Sequence, residues 1–494
     1  MEYILGIDIG TGSTKAVALN LNYEPISTSQ HYYPTHSVKP GYSEQEPEII
    51  YQAFLNCIAD LKTELGAEPF TVGLSSAMHS LIMVDSNGEP LAPMITWADN
   101  RSADIANRLL NGDEGLQLYA STGTPIHPMS PLCKIIWLRE NEPQLFIETS
   151  KFISIKEYIW FKLFGEYKID YSIASCTGLF DINKLNWNEE ALKLCKINSA
   201  HLSEPVQTSF SNTKLVQAHQ AFFNNKNVSF VIGASDGCLA NLGSEAISDG
   251  AAAVTIGTSG ALRVPSSKPV VNKNAMTFNY ILDSETFICG GPINNGGLAL
   301  QWLMKNVFGK KELNEADYTN LFNEIETSAV GSNGLIFLPY LTGERAPIWN
   351  SRASGTFLGL SNQHHQKDMA RAVIEGICFS LNDVLTEMET NGASIKKIHA
   401  SGGFVHSKVW MQILADVTGK EILLITEEDA SAVGAAYLAA KANGLIDNYP
   451  SATQNKFNII YPDTSHHIFY QRRFGIYKKA YVNLKECMKE INNS

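Results

Sequence analysis

A short apolar run near the start of the chain ends in an acid and a turn of small residues. The run Ile4–Ile9 contains Asp8, and the turn Gly10-Thr11-Gly12-Ser13-Thr14 with Lys15 follows it. Glycines let backbone N–H groups approach phosphate oxygens, hydroxyls add donors, and the acid can hold a hydrated magnesium ion. The spacing is neither that of a P-loop nor that of a dinucleotide fingerprint. The pattern predicts a hairpin that either binds phosphate or is an ordinary Gly-rich turn.

A second turn of the same kind lies in the other half of the chain. The apolar run Ala252–Ile256 leads into Gly257-Thr258-Ser259-Gly260, and Ala261–Val264 continues the pattern. The two Gly-Thr pairs are 247 positions apart, half of the 494 residues. This repeat suggests an internal duplication in which each half begins with a hairpin. Two such hairpins favour the phosphate interpretation, because together they can hold a triphosphate from both sides.

An aspartate follows an apolar strand just before the second hairpin. The stretch Phe230–Ser235 leads directly to Asp236-Gly237, among small residues that let a ligand approach. One interpretation is an Asp-Gly turn after a strand. The other is a general base that takes a proton from a substrate hydroxyl during phosphoryl transfer.

Polar and aromatic residues suited to a polyhydroxylated ligand cluster in three segments. These are Ser75–Ser80 with Met78 and His79, Thr96–Arg101 with Trp97 and Asp99, and the Pro-rich loop Thr124–Pro131 with His127. An apolar face combined with donors and acceptors is what such a ligand requires. The alternative is structural, with a buried histidine, a core tryptophan and an ordinary loop.

A Gly-Gly pair follows another strand-like segment. Gly402-Gly403 comes after Lys397–Ala400 and precedes a helix. Such a turn lets a flat base or sugar lie against the backbone, although it is also a common junction between a strand and a helix.

Helices and strands alternate around these motifs, which predicts an α/β chain. Apolar residues recur at helical spacing in five segments. The segments are Glu48–Glu64, Pro131–Glu140, Ile155–Phe164, Asp368–Met388 and Val409–Thr418. No flexible linker separates the halves, and we predict domains at residues 1–246 and 247–494.

Composition narrows the function classes. The chain has 38 Lys and Arg against 50 Asp and Glu, a formal charge of −12, which argues against general affinity for nucleic acid or anionic membranes. No secretory leader or membrane span is expected. The eight cysteines form no Cys-x-x-Cys pair, which favours a reducing, cytoplasmic location without a zinc site.

Two longer segments carry a family resemblance. Met129–Glu140 resembles the first signature of the FGGY carbohydrate kinases, within the actin-like ATPase superfamily. Gly355–Leu360, followed after seven residues by Asp368–Glu375, resembles the second. The resemblance covers essentially the whole chain, and the loop His127–Pro131 is most similar to the bacterial gluconate kinases of the family. It implies two actin-like, ribonuclease H-like domains with a ligand cleft between them.

The resemblance also implies roles for particular residues. Asp236 would be the catalytic base, and Asp8 would orient Mg²⁺ through water. ATP would contact Thr11, Gly12, Ser13, Thr14, Lys15, Gly257, Thr258, Gly402 and Gly403. The sugar acid would contact Met78, His79, Trp97, Asp99, Arg101, His127 and Asp236. Arg101, Lys134 and His127 are the candidates for binding the substrate carboxylate.

The implied activity is ATP-dependent phosphorylation of the terminal hydroxyl of D-gluconate, with ATP and Mg²⁺ as cofactors and neither nucleic acid nor membrane as partner. Xylulose kinases share the Met-His and Trp-x-Asp-x-Arg features, so a kinase for xylulose or another sugar is the first alternative. A non-catalytic, actin-like nucleotide-binding module is the second. The sequence leaves the oligomeric state open, a homodimer included.

Overall fold

The computed structural model describes residues 2–224, 227–425, 429–450 and 458–491. Its strands are β1 (Ile4–Ile9), β2 (Ser13–Leu19), β3 (Pro25–Tyr32), β4 (Glu44–Gln45), β5 (Thr71–Ser76), β6 (Ile82–Val84), β7 (Met94–Ile95), β8 (Lys151–Ile153), β9 (Lys168–Asp170), β10 (Phe180–Asp181), β11 (Asn186–Trp187), β12 (Glu204–Val206), β13 (Ser211–Asn212), β14 (Ser229–Ser235), β15 (Ala251–Ile256), β16 (Gly260–Ser266), β17 (Phe278–Ile281), β18 (Phe287–Ile293), β19 (Ile336–Leu338), β20 (Thr356–Leu358), β21 (Lys397–Ser401), β22 (Glu421–Leu424) and β23 (Asn458–Ile460).

The helices are α1 (Pro47–Leu65), α2 (Ala103–Leu110), α3 (Asp113–Thr122), α4 (Pro131–Asn141), α5 (Pro143–Glu148), α6 (Ile155–Phe164), α7 (Tyr171–Ala174), α8 (Glu189–Cys195), α9 (Gln217–Gln220), α10 (Asp236–Gly243), α11 (Gly297–Trp302), α12 (Glu315–Glu326), α13 (Gln366–Thr390), α14 (Lys408–Thr418), α15 (Ala430–Ala442) and α16 (Thr464–Ile491). All five predicted helices are confirmed, as α1, α4, α6, α13 and α14. Within the described residues, no helix combines the length and apolarity needed to cross a bilayer.

The chain folds into two compact units. The first comprises Met1–Glu245, Ser266–Cys289 and Asp429–Ser451, and the second comprises Ala246–Pro265, Gly290–Glu428 and Ala452–Ser494. The chain therefore leaves the first unit after Glu245, next to the predicted boundary, and returns to it twice. These two returns could not be read from sequence patterns, because they depend on packing between residues far apart in the chain.

The first unit is built on a six-stranded sheet of order β13-β14-β5-β1-β2-β3. Strands β14, β5 and β1 run parallel, while β1, β2 and β3 form antiparallel hairpins. Since parallel strands end at one edge of a sheet, this topology carries Asp8, Ser75 and Asp236 to the same edge. The core beneath holds buried aromatic and aliphatic residues, among them Phe54 and Trp160.

Helix α15 packs on this sheet through unusually small residues. A Cβ atom on Gly6 would overlap the carbonyl oxygen of Ala432, and one on Gly73 would overlap that of Ala435. Glycine is therefore required in β1 and β5 where the helix backbone approaches the strands. This close packing explains why α15 belongs to the first unit despite its position late in the sequence.

The second unit repeats the arrangement. Its sheet includes β18-β16-β15-β21-β22-β23 in that order, with β15, β21 and β22 parallel and β15-β16 an antiparallel hairpin. Both Gly-rich hairpins predicted from the sequence are confirmed, and each occupies the same place in its sheet. The second turn and the Gly402-Gly403 turn follow the neighbouring parallel strands β15 and β21.

Candidate active site

Asp8 lies at the centre of an acidic cluster in the first unit. It pairs with Ser75 in the parallel register of β1 and β5, and the Ser75 hydroxyl donates to Asp8 Oδ1 at 2.5 Å. Burial, together with the negative charges of Asp236 and Asp429, raises the pKa of Asp8 to about 7, although the hydrogen bond from Ser75 lowers it. Burial and the neighbouring charges therefore both oppose ionisation of Asp8.

Asp236 is the first residue of α10, directly after β14. A bulge between Val231 and Ala234 redirects the end of the strand, and Gly233 adopts a φ of 71° there. Ser235 caps the helix by accepting from the Cys238 amide, and the Gly237 amide donates to Asp236 Oδ1 at 2.7 Å. Both the amide and the helix N-terminus favour an ionised carboxylate. Asp236 thus stands in a helix start rather than in an Asp-Gly turn.

A buried lysine supports this strand end from within the core. Lys156 Nζ donates to the Ala234 carbonyl at 2.8 Å and forms an ion pair with Asp170 at 2.6 Å. The ammonium is almost fully buried, so it supports the main chain beside Asp236 instead of facing a ligand.

The structure adds Asp429, which the sequence reasoning missed. Asp429 immediately precedes α15 and forms an ion pair with Lys15, which lies opposite Asp8 in the first hairpin. Nothing in the local pattern marks Asp429, because only the packing of α15 on the sheet places it beside the cluster.

The cluster fits a magnesium ion held mainly by water and phosphate. Mg²⁺ commonly keeps several waters and uses one or two protein carboxylates. In the described part of the chain, no three Asp, Glu, His or Cys side chains gather closely enough to hold a metal by themselves. Asp8, whose ionisation is opposed by burial and by the charges of Asp236 and Asp429, is a carboxylate that a nearby cation would stabilise.

The first Gly-rich turn, which is predicted to bind phosphate, is closed by the Gly10 amide, which donates to the Ser13 carbonyl at 3.0 Å. Gly12 faces open space, and Thr11 and Ser13 are partly exposed. Thr14 is fully buried, with its hydroxyl 3.3 Å from that of Tyr33. Side chains alternate between the two faces of a strand, so the Thr14 side chain lies on the opposite face from Ser13.

His79 is held tightly after β5, where Met78 and His79 follow the strand. His79 has a φ of 65°, unusual for a residue with a side chain, and is 6% exposed. Its Nδ1 lies 2.8 Å from the Cys176 carbonyl, and its Nε2 lies 3.3 Å from the hydroxyl of Tyr280. Because a carbonyl can only accept, the ring proton belongs on Nδ1. Tyr280 comes from the 266–289 segment, a partner that local sequence could not reveal.

Asp99 and Arg101 form a compact ion-pair group. Asp99 is fully buried and accepts from the Ser43 amide and from Arg101. The Arg101 guanidinium also donates to Glu44 at 2.6 Å and lies over the Tyr42 ring. These contacts stabilise the 96–101 loop, so Arg101 is already engaged by two carboxylates.

The other two candidates for binding the substrate carboxylate, Lys134 and His127, differ in their surroundings. Lys134 is fully buried and donates to the carbonyls of His79 at 2.5 Å and Thr96 at 2.8 Å, and burial lowers its pKa to about 7. It thereby joins the two predicted substrate loops. His127 is half-buried, and its Nδ1 accepts from the Met129 amide at 3.2 Å, which leaves the proton of a neutral ring on Nε2.

In the second unit, the predicted phosphate turn packs against a Gly-Gly pair. The Gly296 and Gly297 amides donate to the carbonyls of Thr258 and Gly257 at 3.0 and 2.8 Å. A Cβ on Gly296 would lie 2.5 Å from the Ser259 carbonyl oxygen, so glycine is needed there, while Gly257 itself faces open space.

Beside this turn lies a cavity of about 810 Å³. Gly402, with a φ of 106°, and Gly403 form the turn after β21, and Gly403 lines the cavity. One wall of the cavity is aromatic and consists of Tyr318, Phe322, Phe404 and Trp410. The size and the aromatic lining suit a flat base. The sequence reasoning missed this wall, since aromatic residues at helical spacing resemble an ordinary core.

Comparison with known proteins agrees with this architecture. Residues 3–243 match the FGGY family of carbohydrate kinases, N-terminal domain, and residues 252–443 match the C-terminal domain. A gluconokinase of Bacillus subtilis is 40% identical over 462 residues, covering 92% of this chain and 90% of that protein.

Two solved structures are equally similar in shape. The gluconate kinase from Lactobacillus acidophilus is 33% identical with a TM-score of 0.94, covering 99% of each chain. The ligand-bound xylulose kinase from the same organism also has 33% identity and a TM-score of 0.94, covering 99% of this chain and 100% of that one. The predicted two-domain α/β fold and the predicted resemblance are confirmed. The chain belongs to the FGGY family of carbohydrate kinases, and is therefore a sugar kinase that uses ATP and a sugar as its substrates.

Proposed function

We propose that this chain phosphorylates D-gluconate at its terminal hydroxyl, giving 6-phosphogluconate and ADP. The observation that supports the chemistry best is Asp236, an acid held at a helix start beside Asp8 and a Gly-rich turn. The choice of gluconate is supported by the 40% identity to a gluconokinase and by the loop that contains His127.

Asp236 acts as the general base. The hydroxyl oxygen forms a bond to the γ-phosphorus, the bond from that phosphorus to the bridging oxygen breaks, and ADP leaves with the electron pair. The hydroxyl proton passes to the Asp236 carboxylate. Since phosphoryl transfer depends mostly on positioning and charge stabilisation, the base contributes only part of the rate enhancement.

In the first unit, Thr11, Gly12, Ser13 and Lys15 bind phosphate. In the second unit, Gly257 and Thr258, which line the same cavity as Gly403, bind phosphate. Adenosine occupies the cavity that Gly403 lines. Mg²⁺, when bound, neutralises charge that develops on the phosphate oxygens. Asp8 would hold this ion through water, and Lys15 would exchange part of its pairing with Asp429 for a phosphate oxygen.

The sugar acid is bound by Met78, His79, Trp97 and His127. His127 Nε2–H donates to the substrate carboxylate, since its Nδ1 already accepts from the Met129 amide. Asp99 and Arg101 keep the loop in shape. The hydrogen bond from His127 to the carboxylate would separate an aldonate from an uncharged ketose.

The test is coupled measurement of ADP formation with gluconate, xylulose, ribulose, fuculose, rhamnulose and glycerol. The proposal expects the highest kcat/KM with gluconate. A higher kcat/KM with xylulose would support the second candidate function, a xylulose kinase. The equal structural similarity to a solved xylulose kinase is the reason to consider it. Absence of ADP release with every one of these compounds would refute both gluconate and xylulose as substrates.

A further inference from the structure

One hydrogen bond joins the predicted sugar loop to the predicted phosphate turn, both within the first unit. Trp97 Nε1 donates to Thr11 Oγ1 at 2.8 Å. An indole N–H can only donate, whereas a hydroxyl can both donate and accept. The direction of this bond is therefore unambiguous, and the hydroxyl proton of Thr11 is left to be donated elsewhere. A phosphate oxygen is an acceptor of the kind that this proton suits.

The main chain of Thr11 is held by a second side chain. Gln45 is 2% exposed, and its amide donates to the Thr11 carbonyl at 2.6 Å and to the Thr35 hydroxyl at 2.9 Å. Thr11 is thus fixed at its carbonyl by Gln45 and at its hydroxyl by Trp97.

The two side chains that hold Thr11 come from a short strand, β4, and from the loop that follows its partner strand, β7. Gln45 of β4 lies opposite Met94 of β7, and β7 leads into the loop that contains Trp97. The loop is further tied to this strand pair by the Thr96 hydroxyl, which donates to that of Ser43 at 2.6 Å. A shift of the loop is therefore transmitted to Thr11.

We propose that Trp97 is a positioning residue that couples occupancy of the sugar site to the phosphate turn. A sugar acid packed against the indole fixes the N–H, the N–H fixes the Thr11 hydroxyl as an acceptor, and the hydroxyl proton is then directed to ATP. Sugar and ATP consequently bind with positive cooperativity. This inference rests on the proposed function for the placement of the sugar acid beside Trp97.

A double-mutant cycle tests the coupling. The variants are Trp97→Phe, which keeps an aromatic face without the N–H, Thr11→Val, which removes the hydroxyl, and the combination of both. The Kd of a non-hydrolysable ATP analogue with Mg²⁺ is measured by calorimetry, with and without saturating gluconate. In the parent protein, gluconate should tighten this Kd by about fivefold or more, the lower range of coupling between sites.

Each single variant should lose most of this tightening, and the double variant should lose no more than either single one, since both remove the same bond. Retention of the full tightening in Trp97→Phe would overturn the proposal. So would losses that multiply in the double variant, or a parent protein in which gluconate binds without affecting the Kd.

Trp187→Phe is the matched control. Trp187 also donates its indole N–H, but to the Ser203 carbonyl at 3.0 Å in a different part of the first unit. The Trp187→Phe variant tests the general effect of removing an indole hydrogen bond. The full coupling between gluconate and the ATP analogue should persist in it. Loss of coupling here would assign the effect to destabilisation and overturn the specific role of Trp97.

The panel of sugars separates this inference from the proposed function. If another sugar proves to be the substrate, the choice of gluconate fails, and the same cycle is then run with that sugar. If gluconate is the substrate and the cycle shows independent losses, the coupling role fails while the activity stands.

Discussion

Replacing Asp236 by Asn removes the proposed base with little change of shape. The asparagine side-chain oxygen can still accept from the Gly237 amide, and the Ser235 cap is untouched. The lost charge at the helix N-terminus costs about 0.3–1 kcal/mol of stability, which relief of repulsion with Asp8 offsets. Folding should therefore be preserved.

The expected loss is in turnover. A positioned base contributes about 10²–10⁴-fold, which corresponds to about 2.7–5.4 kcal/mol of activation free energy. The assay is steady-state ADP release with gluconate, accompanied by calorimetric binding of a non-hydrolysable ATP analogue. We expect kcat to fall by this factor while the analogue binds within about threefold of the parent, because the base is needed only in the reaction.

Asp104→Asn supplies the control, since Asp104 is an exposed acid in the first turn of α2. It should keep the parent's turnover. If Asp236→Asn retains turnover within a few-fold of the parent, the assignment of Asp236 as the base is refuted.

Three further outcomes are expected. Asp8→Asn should raise the melting temperature more at pH 8 than at pH 5. The pKa of Asp8 is raised to about 7 in the folded state, so the parent protein loses stability as the pH rises from about 4 towards 7, whereas the asparagine variant does not. An equal effect at both pH values would contradict this prediction. Lys156→Met should destabilise the first unit by about 3–5 kcal/mol in denaturant unfolding, since it leaves Asp170 buried without its ion-pair partner. Lys193→Met, at an exposed pair, should leave the denaturation midpoint close to that of the parent. Phe322→Ala should raise the KM for ATP by about tenfold and leave the KM for gluconate unchanged, and the reverse pattern would place adenosine elsewhere.

Local patterns were sufficient to predict both hairpins and the helices that flank the motifs. Apolar periodicity and Gly-rich turns act within a few residues, so they can be read without tertiary information. The strand that leads to Asp236 was predicted for the same reason, although the start of α10 was not.

Contacts between residues far apart in the chain could not be predicted from local sequence patterns. Asp429 reaches Lys15 only because α15 packs on β1 and β5, and Tyr280 reaches His79 only because residues 266–289 return to the first unit. The burial of Thr14 follows from the alternation of side chains along β2, so it could have been predicted from the sequence. The engagement of Arg101 by Glu44 required the pairing of β4 with β7.

The identity of the product tests the central claim most directly. ³¹P NMR of the reaction of ATP with gluconate, with proton coupling retained, reports which carbon carries the new phosphate. We predict a phosphomonoester coupled to the two protons of the terminal methylene group, formed in equal amount with ADP. Inorganic phosphate as the only new phosphorus species besides ADP, or a phosphate on another carbon of gluconate, would contradict the proposed reaction.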